Sequence, residues 1–317
     1  MKKTGLVTIG ILCFNSEDNI LRAIESSINQ SWTNKEIIVV DDKSSDNSRN
    51  IIMNSSFHKD IIFIRNSKNM GPAYSRNEII KNSKGEFICF LDDDDISDTY
   101  RVQYQIESIK KAGYPKNKFI VSTCGIERKY SDQFILKMTP MGTKGMLPSG
   151  KEMIDYILFN ERVKNVDYGF GSPTCSMLLT KSCFDKVGLF DEGLRRVEDL
   201  DISIRFGMKG IIFVSTKELL LKQKSTKRSY KTPLENLRSE KKLVDKYKFY
   251  LTKKGMFMYS KFWLYLRYFH FKKNYFLFLI VFSFLFIRYP IRAIKHLIKS
   301  SFKRLFLELK INEVTLL

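Results

Sequence analysis

The residues of this 317-residue chain with the clearest chemistry are carboxylates. Five apolar residues, Phe87–Leu91, run straight into Asp92, Asp93, Asp94 and Asp95. Adjacent carboxylates repel one another, and without a positive partner they belong in water, away from a core edge. Taken alone, the run fits a solvated acidic turn as well as a site for a divalent cation, which takes hard oxygen ligands and can bridge to a phosphate. A second acidic pair, Asp41-Asp42, ends the run "EIIVVDD", and a third, Glu198-Asp199, opens "EDLDISIRFGMKG". Only three histidines are present (His58, His270, His296), which argues against a His-rich metal centre. The five cysteines form no C-x-x-C pair, and Cys13 and Cys89 lie in apolar runs. This is the usage of a reduced, cytoplasmic protein with neither a disulfide framework nor a zinc site.

The elements around these residues alternate. Leu6–Cys13 reads as a first strand, in preference to a signal peptide, because no small-residue cleavage site follows. Glu17–Ile28 has helical spacing, with Ile20, Ile24 and Ile28 on one face. Strands are expected at Glu36–Val40, Ile61–Ile64 and Glu86–Leu91, with helices from Ser45-Asp46 onward and from Pro72 to about Lys81. Short apolar strands between helices predict a mostly parallel sheet covered on both faces, and ligands of such sheets bind beyond the carboxyl ends of the strands. Cys13-Phe14-Asn15, Asp41-Asp42 and Asp92–Asp95 all fall at that one edge, which favours a site over a chance acidic turn. Further on, strands are expected in "KFIVSTCG", "RKYSDQFILKM", "PTCSMLL", "IIFVS" and "ELLLK". Helices are expected over Ser149–Phe159, through "KSCFDKVG" to a stop at Gly188, and from the Glu198-Asp199 pair to Gly210.

Four segments in order resemble the inverting family 2 glycosyltransferases, which have the GT-A fold: "VTIGILCFN", "QSWTNKEIIVVDDKSSDNS", "NMGPAYSRNEIIKNSKGEFICFLDDDD" and "GLFDEGLRRVEDLDISIRFGMKG". Together they cover about residues 5–225 and are similar to bacterial O-antigen and capsule transferases. The resemblance implies a metal-dependent hexosyltransferase. In such an enzyme Mg²⁺ or Mn²⁺ on the D-x-D motif offsets the charge that gathers on a departing nucleoside diphosphate. Asp94 matches the metal ligand, with Asp92 as a second, and Asp93 matches the position beside the donor ribose. Asp95 is expected to be a solvated neighbour, with a supporting group behind the metal ligands as the alternative. Asp42 matches the acceptor of the uracil imide hydrogen bond, with Asp41 beside it; Phe14 and its neighbour Asn15 match the base-packing strand end, and Arg76 the arginine facing the nucleotide. Inversion needs one base to take the acceptor hydroxyl's proton. The resemblance gives that role to Asp199, with Glu198 orienting. Asp201 is read as structural, and Arg205 either meets the acceptor or caps carbonyls. One departure is plain: the histidine that many members carry after the last strand is missing, and Gln223 and Lys224 stand near its place. A lesser one is Lys43 in place of the common glycine after the acidic pair.

The net charge of +20 is unevenly held. Residues 1–216 carry 30 Lys/Arg against 28 Asp/Glu, whereas residues 217–317 carry 24 against 6. The basic excess therefore describes an appendage. Residues 1–225 are expected to form the transferase domain (1–115 the donor half, 116–225 the acceptor half), and 226–317 a helical, basic, membrane-associating region. The run Asn274–Ile287 is apolar but falls short of the ~18–20 residues that span a bilayer. Beyond Pro290, Ile291, Ile294, Ile298, Phe302, Leu305 and Leu309 share a helical face, bordered by Arg292, Lys295, Lys299 and Lys303. That is the pattern of a helix lying on an anionic membrane surface, although a helix packed on the protein's own core would read the same way. The expected partners are thus a UDP-sugar (a hexose, glucose or galactose, with UDP-GlcNAc, UDP-GalNAc or dTDP-rhamnose as alternatives), a lipid-linked saccharide on undecaprenyl diphosphate, and the cytoplasmic face of the bacterial inner membrane. No nucleic-acid partner is expected, because the charge borders an apolar run rather than base-stacking surfaces. A sugar-nucleotide pyrophosphorylase would need a Gly-rich phosphate loop that "GILCFNSED" lacks.

Overall fold

The computed structural model of the chain describes residues 5–131, 133–224 and 232–298. The chain divides into two compact units. One takes Met1–Lys129, Ile135–Ile154 and Val163–Ser225; the other takes Tyr130–Phe134, Asp155–Arg162 and Thr226–Leu317.

The first unit opens with β1 (Val7–Cys13), α1 (Ile20–Ile28), β2 (Lys35–Asp41), α2 (Ser48–Asn54), β3 (Ile62–Arg65), α3 (Pro72–Asn82) and β4 (Phe87–Asp92). Each crossover is a helix, so β1 pairs in parallel with β2 and β4, and β2 with β3. The register sets Cys13 beside Asp41 and Leu12 beside Asp92. The three strand ends meet at one edge, as the alternation predicts. Gly10, in the middle of β1, is what lets α3 lie close: a Cβ there would come within 2.4 Å of the Ile79 side chain.

The chain continues through β5 (Asp95–Ser97), α4 (Arg101–Lys111), β6 (Ile120–Lys129), β7 (Ile135–Met138), α5 (Gly150–Phe159), β8 (Met177–Thr180), α6 (Ser182–Val187), α7 (Glu198–Met208) and β9 (Ile212–Lys224). From Asp155, α5 belongs to the second unit. The strand order is β3-β2-β1-β4-β8-β6-β9-β5, with β7 on β6. The sheet is therefore mixed, not mostly parallel as expected. Beyond β4 the pairs β4–β8, β6–β8, β6–β7 and β5–β9 are antiparallel, because these strands are not joined by βαβ crossovers. Two strands expected at "IIFVS" and "ELLLK" are one strand, β9, whose register against β6 slips around Thr123 and Gly125. Two elements the sequence reading passed over are β5 and α4.

α4 is fixed by a buried cation. Arg101, fully buried, donates from Nη2 to the carbonyls of Phe90 (3.0 Å) and Cys175 (2.7 Å), and from Nε to Gln105 Oε1 (2.9 Å). It joins α4 to the end of β4 and to the segment entering β8.

The second unit holds α8 (Pro233–Lys246), α9 (Lys248–Lys253), α10 (Phe257–Phe271), α11 (Tyr275–Arg288) and a helix over residues 290–298. Thr232 caps α8 by accepting from the Glu235 N–H, with Pro233 following as the first helical residue. Tyr259, Leu251, Leu266, Leu285 and Ala293 are buried. No helix among the described residues is long and apolar enough to cross a membrane. Of the expected tail stripe, Ile291, Ile294 and Ile298 are exposed. Arg292 is a correction: it is half-buried, turned toward the Phe159 carbonyl and paired with Glu161 rather than lining a solvent-facing stripe. Lys299, Phe302, Lys303, Leu305 and Leu309 lie outside the described residues.

Removing the Arg101 side chain takes its donors from two carbonyl oxygens and from Gln105, and a hydrogen bond to a charged group is worth about 1.5–3 kcal/mol. Arg101→Ala is expected to lower the melting temperature clearly in a thermal unfolding scan, whereas Lys111→Ala, at the exposed end of α4, should leave it unchanged.

Candidate active site

The loops after β1, β2 and β4 hold one another through their own polar groups. Asn15 sits in the left-handed region at φ 50°, which its residue type tolerates. Its side-chain oxygen accepts from the Ser45 N–H (2.8 Å), and its own N–H donates to Ser44 Oγ (3.0 Å). Asp41 is fully buried; it accepts from the Ser44 N–H (2.9 Å) and from Arg65 Nε (3.1 Å). Asp42 accepts from Asn66 Nδ2 (2.7 Å) and from the backbone N–H groups of Met70 and Gly71 (both 2.8 Å). A carboxylate offers about four acceptor positions. Asp42, expected at the base, therefore spends most of its capacity ordering the turn that starts α3. Asp93, expected beside the ribose, is buried and accepts from the Phe14 N–H (2.8 Å), so it ties the end of β1 to the end of β4.

α3 carries Arg76 into the middle of the site. This residue, expected to face the nucleotide, is buried between two acidic groups. Its guanidinium pairs with Glu198 through Nη1 and with Asp92 through Nη2 at 3.4 Å, and lies over the Phe190 ring. It thereby brings the acidic end of β4 to the start of α7. Glu198 is held by this pair. Asp199, half-buried, accepts from the Leu200 N–H (2.8 Å). Burial, then the Glu198 charge, push the Asp199 carboxyl up to about 6, against the smaller pull of Arg76. The residue before the pair, Val197, is in the left-handed region at φ 61°, a costly place for a β-branched side chain. Arg195 crosses to the loop before α3, donating to Asn69 Oδ1 (2.9 Å) and to its carbonyl (3.1 Å). Asp201 is buried and paired with Arg205 (2.9 Å), and Arg205 donates to the Val187 carbonyl. These two are structural, and the carbonyl-capping alternative for Arg205 is the one observed.

Asp95 is the clearest correction. It is 2% exposed, not a solvated neighbour, because the pairing of β5 with β9 draws it inward. Its Oδ2 accepts from Gln223 Nε2 (2.7 Å), while Gln223 Oε1 accepts from Arg128 Nη2 (2.8 Å). Gln223, standing near the missing histidine's place, thus reaches the acidic loop. Burial and the neighbouring Asp92 hold the Asp95 carboxyl well above its ordinary range. Asp92, Asp95 and the Cys175 thiol lie within 4.8 Å of one another. Asp94, expected as the principal metal ligand, is not in that group; it forms the turn after β4, half-buried. Burial, then Asp92 and Asp95, hold Cys175 protonated, and a thiol is a poor ligand for a hard cation. The donors that suit Mg²⁺ or Mn²⁺ are the carboxylates, with Asp92 and Asp94 the more open ones. Alternation along "ELLLKQK" would have pointed Gln223 to one face, but nothing local identifies Asp95, Arg128 or Cys175 as its company.

Carboxylates thus stand at two strand ends of this sheet edge, and one buried arginine joins Asp92 to the acidic pair at the start of α7. The profile of glycosyl transferase family 2 matches residues 8–183, and the chain belongs to that family. It is a glycosyltransferase. It is 28% identical over 256 residues to an uncharacterized glycosyltransferase of Rickettsia typhi, covering 80% of this chain and 74% of the relative. It is 41% identical over 101 residues to the Escherichia coli UDP-Glc:alpha-D-GlcNAc-diphosphoundecaprenol beta-1,3-glucosyltransferase WfaP, covering 32% of this chain and 40% of that one. The S. aureus TarS 1-349 structure in complex with UDP-GlcNAc superposes with a TM-score of 0.58 at 17% identity, covering 84% of this chain and 73% of the other; that likeness is one of fold.

The position of Asp199 has a stability cost that pH reveals. Its folded pKa lies above its unfolded value, so the native state binds the extra proton between about pH 4 and 6, and the fold loses stability as pH rises through that window. Asp199→Asn is expected to raise the melting temperature at pH 7–8, by roughly 1–3 kcal/mol of stability, with the gain fading as pH falls to about 4. Melting curves of both proteins from pH 4 to 8 check this; a gain independent of pH would mean that Asp199 is not desolvated.

Proposed function

We propose that this chain is an inverting hexosyltransferase. It moves a sugar, glucose first among candidates, from a UDP-sugar to a saccharide carried on undecaprenyl diphosphate, in the synthesis of a bacterial surface polysaccharide such as O-antigen or capsule. The observation that carries the reading is Asp199. It is the one carboxylate of the Glu198-Asp199 pair not taken up by Arg76, and its raised pKa suits a base working near neutral pH. The names of the Escherichia coli relatives support a UDP-glucose donor and a diphosphoundecaprenol acceptor.

In this reading the acceptor hydroxyl attacks the anomeric carbon from the face opposite UDP. The new C–O bond forms as the bond to the β-phosphate oxygen breaks, the hydroxyl proton passes to Asp199, and the electron pair leaves on UDP. Glu198 holds Arg76, and Arg76 holds Asp92, so base and diphosphate side stay in fixed register. Mg²⁺ or Mn²⁺, held by Asp92 and Asp94, supplies positive charge to the diphosphate when bound. Phe14 and the remaining acceptor position of Asp42 serve the base, and Asn15, Asp41 and Asp93 order the loops that present them.

The second unit suits a lipid-linked acceptor. On α11, Phe276 is 74% and Ile287 82% exposed, with Tyr275, Leu279 and Ile280 also exposed, between Lys272-Lys273 and Arg288. An apolar helix face bordered by cations matches an anionic bilayer surface in both chemistry and charge. In this reading the chain works at the cytoplasmic face of the bacterial inner membrane.

UDP release from UDP-glucose in the presence of an α-GlcNAc-diphospholipid tests the activity. Asp199→Asn is expected to lower the rate by roughly 10²–10⁴-fold while leaving UDP binding intact. Normal turnover by that variant would remove Asp199 as the base, and full activity in excess EDTA would remove the metal. Phe276→Asp with Ile287→Asp, both at exposed positions, should abolish flotation with anionic vesicles without lowering the melting temperature; flotation equal to wild type would remove α11 from the membrane contact.

A further inference from the structure

Two buried polar residues stand side by side in the middle of α3. Arg76 is 5% and Asn77 1% exposed, among the buried apolar residues Ala73, Ile79 and Ile80. Arg76 reaches the acidic pair of α7, and Asn77 reaches the loop that leads into it. The Asn77 Oδ1 accepts from the Phe190 N–H (2.9 Å), and its Nδ2 donates to the Phe190 carbonyl (3.0 Å) and to Glu192 Oε1 (2.9 Å). One side-chain amide thus meets both backbone groups of a single residue, as a neighbouring strand would. An amide offers two donors and two acceptor positions, and three of the four are used here. A buried group paired in this way fixes one arrangement of its surroundings, because a shift would leave it unsatisfied away from water.

The residue that Asn77 fixes belongs to the site. The Phe190 ring lies under the Arg76 guanidinium, 5.7 Å from its Cζ, and meets Phe90 of β4 edge to face at 5.8 Å. Beyond Phe190 the loop turns where Asp191 accepts from the Gly193 N–H (3.0 Å), and it is tied a second time by Arg195 to Asn69 before α7 begins at Glu198. Both ties run to α3 or to the turn just before it, so the helix that carries Arg76 also sets where α7 starts. We infer that Asn77 is a positioning residue for sugar transfer: through the backbone of Phe190 it holds the start of α7 so that Glu198 meets Arg76 and Asp199 stays clear of the guanidinium. The inference rests on the reading of Asp199 as the base and names the residue that keeps it in place. With Asn77 truncated, the start of α7 shifts, water reaches Asp199 and Arg76 can approach it; both changes favour the ionised carboxylate and make it a weaker base.

Three variants of the full chain test this. Asn77→Ala removes the clamp, Glu192→Ala removes one of its three bonds from an exposed position, and Ile80→Val loosens the packing of α3 without touching its polar groups. Asn77→Ala is expected to lower kcat roughly 10–100-fold, the cost of a misplacement of about 1 Å, with the KM for UDP-glucose within about twofold of wild type. The acid limb of its rate should move from near pH 6 toward about pH 4, the ordinary carboxylate value. Glu192→Ala should move the limb the same way in smaller measure, and it carries the test if Asn77→Ala does not fold. Ile80→Val should keep the wild-type rate and limb while its melting temperature falls. A readout free of activity comes from melting curves: the rise that Asp199→Asn gives at pH 7–8 should shrink in the Asn77→Ala background, because the carboxyl it replaces is no longer desolvated. A loss of melting temperature with wild-type kcat and acid limb reduces Asn77 to a structural role and overturns the inference, as does an equal fall in rate for Ile80→Val. If the wild type releases no UDP, or Asp199→Asn turns over normally, the proposed function fails instead. The melting comparison then decides the placement of Asp199 by itself, and an undiminished rise overturns it.

Discussion

The site depends on one buried guanidinium. Asp92, half-open, and Glu198, buried, stand 106 positions apart in the chain, and two carboxylates brought face to face without a cation would push one toward its protonated form. Arg76 lies between them and removes that repulsion. An arginine taken out of water costs several kcal/mol unless it is paired and hydrogen-bonded, so its placement is stable only while both acids remain. The interaction is mutually conditional: Asp92 and Glu198 permit the burial of Arg76, and Arg76 permits that of Glu198.

What aims Arg76 is backbone. Asp42 accepts the Met70 and Gly71 N–H groups, which fixes the turn whose next residue, Pro72, begins α3 with its φ already helical. Gly10 then lets α3 settle onto β1, close enough for the fifth residue of the helix to reach both acids. The acidic pair at the end of β2 is therefore architectural to a degree that its chemistry alone does not suggest. Asp41 orders its own loop with Arg65, and Asp42 orders the next one. Asp93 works the same way between β1 and β4.

The parallel half of the sheet was legible because it is written locally. Apolar runs of strand length, helical spacing between them and Pro72 at a helix start are all signals within a dozen residues. The strand-end rule then turned those elements into a shared edge. The acceptor half was less legible because its strands are defined by partners far along the chain. β5 is three residues long and exists only through its pairing with β9, and the burial of Asp95 follows from that pairing. Four aspartates in a row look equivalent in sequence; in the fold, Asp93 and Asp95 turn inward while Asp92 and Asp94 stay half-open. α4 carried a readable spacing, Val102, Ile106 and Ile109, but the anchor that fixes it is a buried arginine, a residue type that hydrophobic patterning assigns to the surface. In the tail, Arg292 was placed on a solvent stripe by its helical phase, whereas Glu161, from a distant loop of the same unit, turns it inward.

The division of labour between Glu198 and Asp199 follows from the same guanidinium. Were Arg76 paired with Asp199, the charge would stabilise that carboxylate, lower its pKa and make it a weaker base. Pairing with Glu198 has the opposite consequence. The arginine's charge is spent on the neighbour, and the resulting anion one residue away, together with burial, raises Asp199. Glu198 thus contributes to basicity at a site it need not touch, by occupying the cation that would otherwise quench it. The left-handed Val197 fits this arrangement. It starts α7 at an angle that sends the first carboxylate inward to Arg76 and leaves the second half-buried beside it. Strain of this kind persists where the surrounding contacts over-determine the backbone, and here they are the Arg76–Glu198 pair on one side and the Arg195–Asn69 contacts on the other.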